Sequence, residues 1–200
     1  INSFVSDINI HADTTVDVTE TISVDFNDLE KHGIYRTIPV DYTSITGHSL
    51  NIRFKLLSVV DGQSQPVTVN QSREGKNVKL RLGNADRTIT GLQTYIIHYQ
   101  VSRTVTVPTD SAEFYWNVTG TGWPVPILSA TTTIHAPENS VTNTICFKDY
   151  YGGSGTSCTH TVDDASATFT AKNIQPGQGL TISVALDQNQ FVFPGWLRNL

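Results

Sequence analysis

The sequence predicts an all-β protein: an antiparallel β-sandwich, either one enlarged sandwich or two packed immunoglobulin-like lobes. Three observations carry this expectation. Apolar and polar residues alternate with a period of two along many stretches. Thr is the commonest residue, and Thr, Val, Ile and aromatics suit a pleated, half-buried surface. Gly, Pro, Asp and Asn turn signals punctuate these stretches at short intervals, and no convincing amphipathic helical pattern interrupts them.

The elements follow in order. Val16, Val18, Ile22, Val24 and Phe26 fall on one strand face, and Asp17, Thr19, Thr21, Ser23 and Asp25 on the other. Leu50, Ile52, Phe54 and Leu56 alternate with Asn51, Arg53 and Lys55. Val78, Leu80 and Leu82 alternate with Lys79 and Arg81, and Tyr95, Ile97, Tyr99 and Val101 with a more polar face. Thr132 and Ile134, Phe169 and Ala171, and Leu180, Ile182, Val184 and Leu186 continue the pattern. Asp61-Gly62, Glu74-Gly75, Gly83-Asn84, Pro137 to Ser140 and Pro176-Gly177 supply the turns. The pattern predicts roughly ten to fourteen short strands, each sheet with one wet face.

The 200 residues read as a single region, 1–200, with possible sub-lobes 1–106 and 107–200. The seam would lie in Thr104 to Ala112, where Pro108 and its neighbours break the strand pattern. Net charge is −5 and the pI is near 5.6, so the chain offers no cationic field for nucleic acid. There is no Met and no apolar run long enough to span a bilayer. The absence of Met leaves two readings, a removed leader or an excised fragment. Cys146 and Cys158 flank a glycine-rich loop and predict a disulfide, whose closure contributes about 3 kcal/mol through the unfolded state. The rival zinc site falls short of four ligands even with His160 nearby.

Three segments stand out from generic sandwich sequence: His32-Gly33-Ile34-Tyr35-Arg36-Thr37-Ile38-Pro39, Glu113-Phe114-Tyr115-Trp116-Asn117-Val118-Thr119-Gly120 with the following Trp123-Pro124-Val125-Pro126-Ile127, and Thr88 to Tyr99. Together with Val16-Asp17-Val18-Thr19-Glu20 and the paired cysteines, they resemble the domain-of-unknown-function 2207 family, bacterial predicted membrane proteins. The resemblance covers essentially the whole chain. It implies a topology: an extracytoplasmic domain on the outer face of the cell membrane, anchored through segments outside this chain. It implies no catalytic residues.

Glu20 lies in phase with the apolar residues of its strand, where an unpaired carboxylate is very costly. Arg36 is its expected partner in a structural ion pair, since a guanidinium satisfies a carboxylate with two hydrogen bonds. A catalytic acid at Glu20 is the rival reading. Alternation sets Tyr115 opposite the core-facing Phe114 and Trp116. Trp123, on a Gly/Pro turn, has two readings: an exposed platform for a sugar or protein, or a lid on the core. Tyr35, Tyr115 and Trp123 are the candidate binding residues. The six histidines form no metal-binding motif, so no metal, cofactor or catalytic set is expected. The aromatic C-terminus, Gln190 to Leu200, either packs on the sandwich or approaches a membrane interface.

The expected function is therefore non-enzymatic: a binding or scaffolding module of a membrane-anchored protein. Its expected partner is an unknown protein or an envelope glycan. One alternative is a cell-envelope carbohydrate-binding module, and another a glycoside hydrolase using Glu20 with a second carboxylate.

Overall fold

The computed structural model describes residues 1–44, 47, 49–107, 111–150, 152–153, 155 and 157–193. Among them run sixteen strands: β1 (Ser3–Ile10), β2 (Val16–Asp25), β3 (Ile34–Pro39), β4 (Asp41–Thr43), β5 (Ser49–Asn51), β6 (Arg53–Asp61), β7 (Val69–Glu74), β8 (Asn77–Leu82), β9 (Leu92–Ser102), β10 (Val105–Thr106), β11 (Ala112–Asn117), β12 (Ile127–His135), β13 (Val141–Tyr150), β14 (Thr159–Val162), β15 (Ser166–Ile174) and β16 (Gln178–Leu186). The all-β class holds. The strand count exceeds the expected range because β4, β5 and β10 are two or three residues long, too short to show a period.

A seven-stranded sheet in the order β14-β15-β12-β1-β2-β9-β6 forms the base. Its pairings are antiparallel except β1 with β12, which are parallel. A four-stranded sheet, β10-β11-β16-β13, and a three-stranded sheet, β3-β8-β7, complete one core, with a small β4-β5 ribbon beside them. The base buries Phe4, Ile8, Val18, Ile22, Ile97, Tyr99, Ile134 and Phe169 on one face, and leaves its Thr-rich face partly wet. Trp116 of β11 reaches Tyr99 of β9 with ring centroids 6.4 Å apart, which ties the four-stranded sheet to the base.

A division at 106/107 runs through the base, because β1 and β12 are neighbours in it. Residues 108–110 of the expected seam lie outside the described residues, as do 194–200 of the aromatic C-terminus. Phe191, by contrast, is buried in the core, with Phe193 packed against it.

Candidate functional site

The inward face of the base carries one buried charge. Glu20 sits between Val18 and Ile22 on β2 and is fully buried. Arg36, also fully buried, projects inward from β3 between the buried Ile34 and Ile38. The two are joined by a pair of parallel hydrogen bonds: Arg36 Nε donates to Glu20 Oε2 and Nη2 to Oε1, both at 2.7 Å. The remaining donors are satisfied by backbone. Nη1 reaches Thr37 O at 2.7 Å and Thr119 O at 2.8 Å, and Nη2 reaches Val118 O at 2.7 Å. Tyr99 adds a third donor to the carboxylate, its hydroxyl 2.6 Å from Glu20 Oε1. Burial disfavours the charged guanidinium, but Glu20's charge and hydrogen bonds outweigh it and raise Arg36 above its ordinary value. Burial, then the Glu20 charge, pushes the Tyr99 hydroxyl well up. Every strong group here is saturated within the protein, so the arrangement is a structural clamp joining β2, β3, β9 and the loop after β11.

Trp123 belongs to that clamp, which corrects its reading as an exposed platform. It is 7% exposed. Its indole packs edge-on against Phe4 at 6.5 Å, and Nε1 donates to Thr119 O at 2.7 Å. The turn reverses at Gly120, whose φ of 73° suits glycine, and this folds the Trp back against Phe4 instead of outward.

The concave site lies elsewhere. Tyr115 and Asn117 of β11, Gly179 and Thr181 of β16, and Phe147, Asp149 and Tyr150 of β13 line a groove of about 310 Å³, closed on one side by Tyr42 and Thr43 of β4. The strand register sets Asn117, Thr181 and Phe147 in one cross-strand row. Tyr42 stacks at a tilt on Tyr115, centroids 5.9 Å apart, and its buried hydroxyl donates to Tyr115 O at 3.1 Å. Tyr150 is 55% exposed at the opposite lip. The groove is thus framed by three tyrosines with amide and hydroxyl groups between them. Asp149 is its only carboxylate among the described lining residues, and its oxygens accept from the Tyr150 and Gly155 backbone amides at 2.7 and 2.9 Å.

The lip that carries Asp149 and Tyr150 is covalently held. Cys146 of β13 is bonded to Cys158, immediately before β14, with Cα atoms 6.2 Å apart. The bond therefore links the four-stranded sheet to the base. Tyr35, next to Arg36 on β3, points the other way and is 57% exposed. Glu20, Arg36 and Trp123 thus meet in one cluster, Tyr115 lies in the groove, and Tyr35 lies on an outer face. Sequence reasoning missed Tyr42 and Tyr150 as groove residues. Nothing in a three-residue strand or a glycine loop marks them. It also missed Tyr99 as a partner of Glu20, although Tyr99 pairs with Val18, one step diagonal to Glu20 on the same face.

Comparison with known proteins adds the family. Residues 1–186 match the family described as predicted membrane protein (DUF2207) N-terminal domain. The chain belongs to this family. No protein of curated function matches it. No helix among the described residues of this DUF2207 domain is long and apolar enough to cross a membrane. Among solved structures, the domain is similar to native leukotriene A4 hydrolase from Saccharomyces cerevisiae, with a TM-score of 0.58 and 9% identity over 92% of this chain and 28% of that one. The yeast enzyme in complex with bestatin gives 0.54 and 11%, with the same coverage. At such identity the likeness concerns the fold alone, and the DUF2207 domain spans under a third of the hydrolase chain.

Proposed function

We propose that this chain is the extracytoplasmic binding module of a membrane-anchored protein, attached through segments outside the chain, and that it works by binding, not catalysis. The observation that carries this reading is the tyrosine-framed groove, whose lip is fixed by the Cys146–Cys158 bond. A disulfide persists in oxidising compartments, which supports the outer side of the membrane. Groups that recognise are present in the groove, while its carboxylate is engaged by backbone amides.

The partner is a protein segment or an envelope glycan. The glycan reading is favoured by the mixture of Tyr115 and Tyr150 with Asn117, Thr121 and Thr181, since aromatic faces stack on sugar rings and amides and hydroxyls pair with sugar hydroxyls.

Two measurements test this. Thiol labelling and protease access on intact cells should find the cysteines oxidised and the domain cleavable from outside. A reduced, protected domain would overturn the outer location. Titration with soluble peptidoglycan fragments, followed by NMR, should shift Tyr150 and Thr181, and Tyr150→Ala should weaken binding about tenfold. Shifts confined to other surfaces would remove the groove as the binding site.

A further inference from the structure

The outward face of the three-stranded sheet carries a second, separate constellation. Its register sets two cross-strand rows: Tyr35, Arg81 and Asn70 in one, and Thr37, Lys79 and Ser72 in the next. Side chains within a row stand about 5 Å apart, and the rows about 7 Å apart. On the inward face, Ile34, Arg36, Ile38, Leu80 and Leu82 are buried, so the outward side chains are held on a rigid platform. Tyr35, Asn70, Ser72, Glu74, Lys79 and Arg81 line a shallow concavity of about 260 Å³.

The two cations here are not equivalent. Lys79 is occupied: Nζ lies 3.1 Å from Glu74 and 4.8 Å from the centroid of the Tyr35 ring. Arg81 Nε is buried and has no hydrogen-bond partner among the described residues. An unsatisfied buried donor is costly, and a charged one more so. A carboxylate meeting the outer edge of the guanidinium would be held by two parallel bonds. Beside it stands an aromatic ring more than half exposed. Asn70 and Ser72, one in each row, offer uncharged donors and acceptors for hydroxyl groups. In a chain of net charge −5, such a face attracts an anion locally while the surroundings repel it.

We propose that this face binds an acidic saccharide, with a pyranose ring against the part of the Tyr35 ring that Lys79 leaves exposed, its carboxylate paired with Arg81, and its hydroxyls read by Asn70 and Ser72. The site shares no residue with the groove and does not depend on it.

The test is titration of the chain with oligogalacturonate, followed by NMR, with a neutral oligogalactose and polyglutamate as controls. Shifts should map to Tyr35, Asn70, Ser72, Lys79 and Arg81. Affinity should fall about tenfold or more in Tyr35→Ala and in Arg81→Gln, and Tyr35→Phe should bind like the parent. Tyr35→Ala removes an exposed ring, so it separates lost binding from lost folding if Arg81→Gln is unstable. The proposal is overturned if oligogalacturonate does not bind, or if both variants bind it unchanged. It is equally overturned if polyglutamate binds with the same shifts and affinity, which would make the ligand an acidic peptide.

Discussion

Arg36 and Trp123 share one acceptor, the carbonyl oxygen of Thr119, at 2.8 and 2.7 Å. A residue of the His32–Pro39 segment thereby holds the reversal within the Glu113–Ile127 segment. The loop between β11 and β12 rests on a charge supplied by β3 and neutralised by β2.

That arrangement predicts a strong asymmetry between single and paired substitution. Glu20→Gln or Arg36→Met alone leaves an uncompensated buried charge and should cost about 3–5 kcal/mol. Replacing both with apolar residues should cost much less than the sum. Chemical denaturation of the two singles and the double checks this. Additive losses would show that the groups act separately.

Tyr42, Tyr95 and Tyr99 should resist ionisation while the protein is folded. Burial raises all three, Tyr95 to about 12. Their folded values exceed the unfolded one, so the stabilisation is fully present below pH about 10 and is lost as pH rises through the folded values. Ultraviolet titration should therefore show late tyrosines that ionise together with unfolding. Tyr99→Phe should reduce the steepness of the alkaline loss.

Reducing the Cys146–Cys158 bond should lower stability by about 3 kcal/mol. It should also loosen the lip that carries Asp149 and Tyr150. Hydrogen exchange before and after reduction reads this directly: faster exchange at Lys148, Asp149 and Tyr150 is expected, with the clamp around Arg36 unchanged.

Gly120→Ala should destabilise the chain by about 1–2 kcal/mol from its positive φ alone. Crowding adds to this, because a Cβ there would lie 2.9 Å from both Arg36 Nη1 and Thr37 O. A thermal melt compared with an alanine substitution at Gly75, whose Cβ meets nothing within 4 Å, separates crowding from backbone strain.

What could be read from the sequence follows physical range. Alternation is local, so Val16 to Val24 and Tyr95 to Val101 were legible as strands, and so was the charge at Glu20 that breaks the pattern. The Arg36 partner was legible because a buried carboxylate admits few solutions. The direction of Trp123 was not, because a glycine turn permits outward and inward paths equally, and only the distant Phe4 and Arg36 decide between them. The groove was not legible either. Tyr42, Asn117, Thr181 and Tyr150 meet through non-local pairings, and each alone looks like ordinary surface.

The parallel pairing of β1 with β12 places the first strand of the chain in the middle of the base. During synthesis, Ser3–Ile10 emerges well before its second neighbour, which begins only at Ile127. Until then the nascent sheet presents a raw, hydrogen-bond-hungry margin of the kind that recruits foreign strands. Closing so long a loop is also slow. The chain must therefore be kept from sticking while it waits for its own later half, and fragments cut after β9 should aggregate rather than fold.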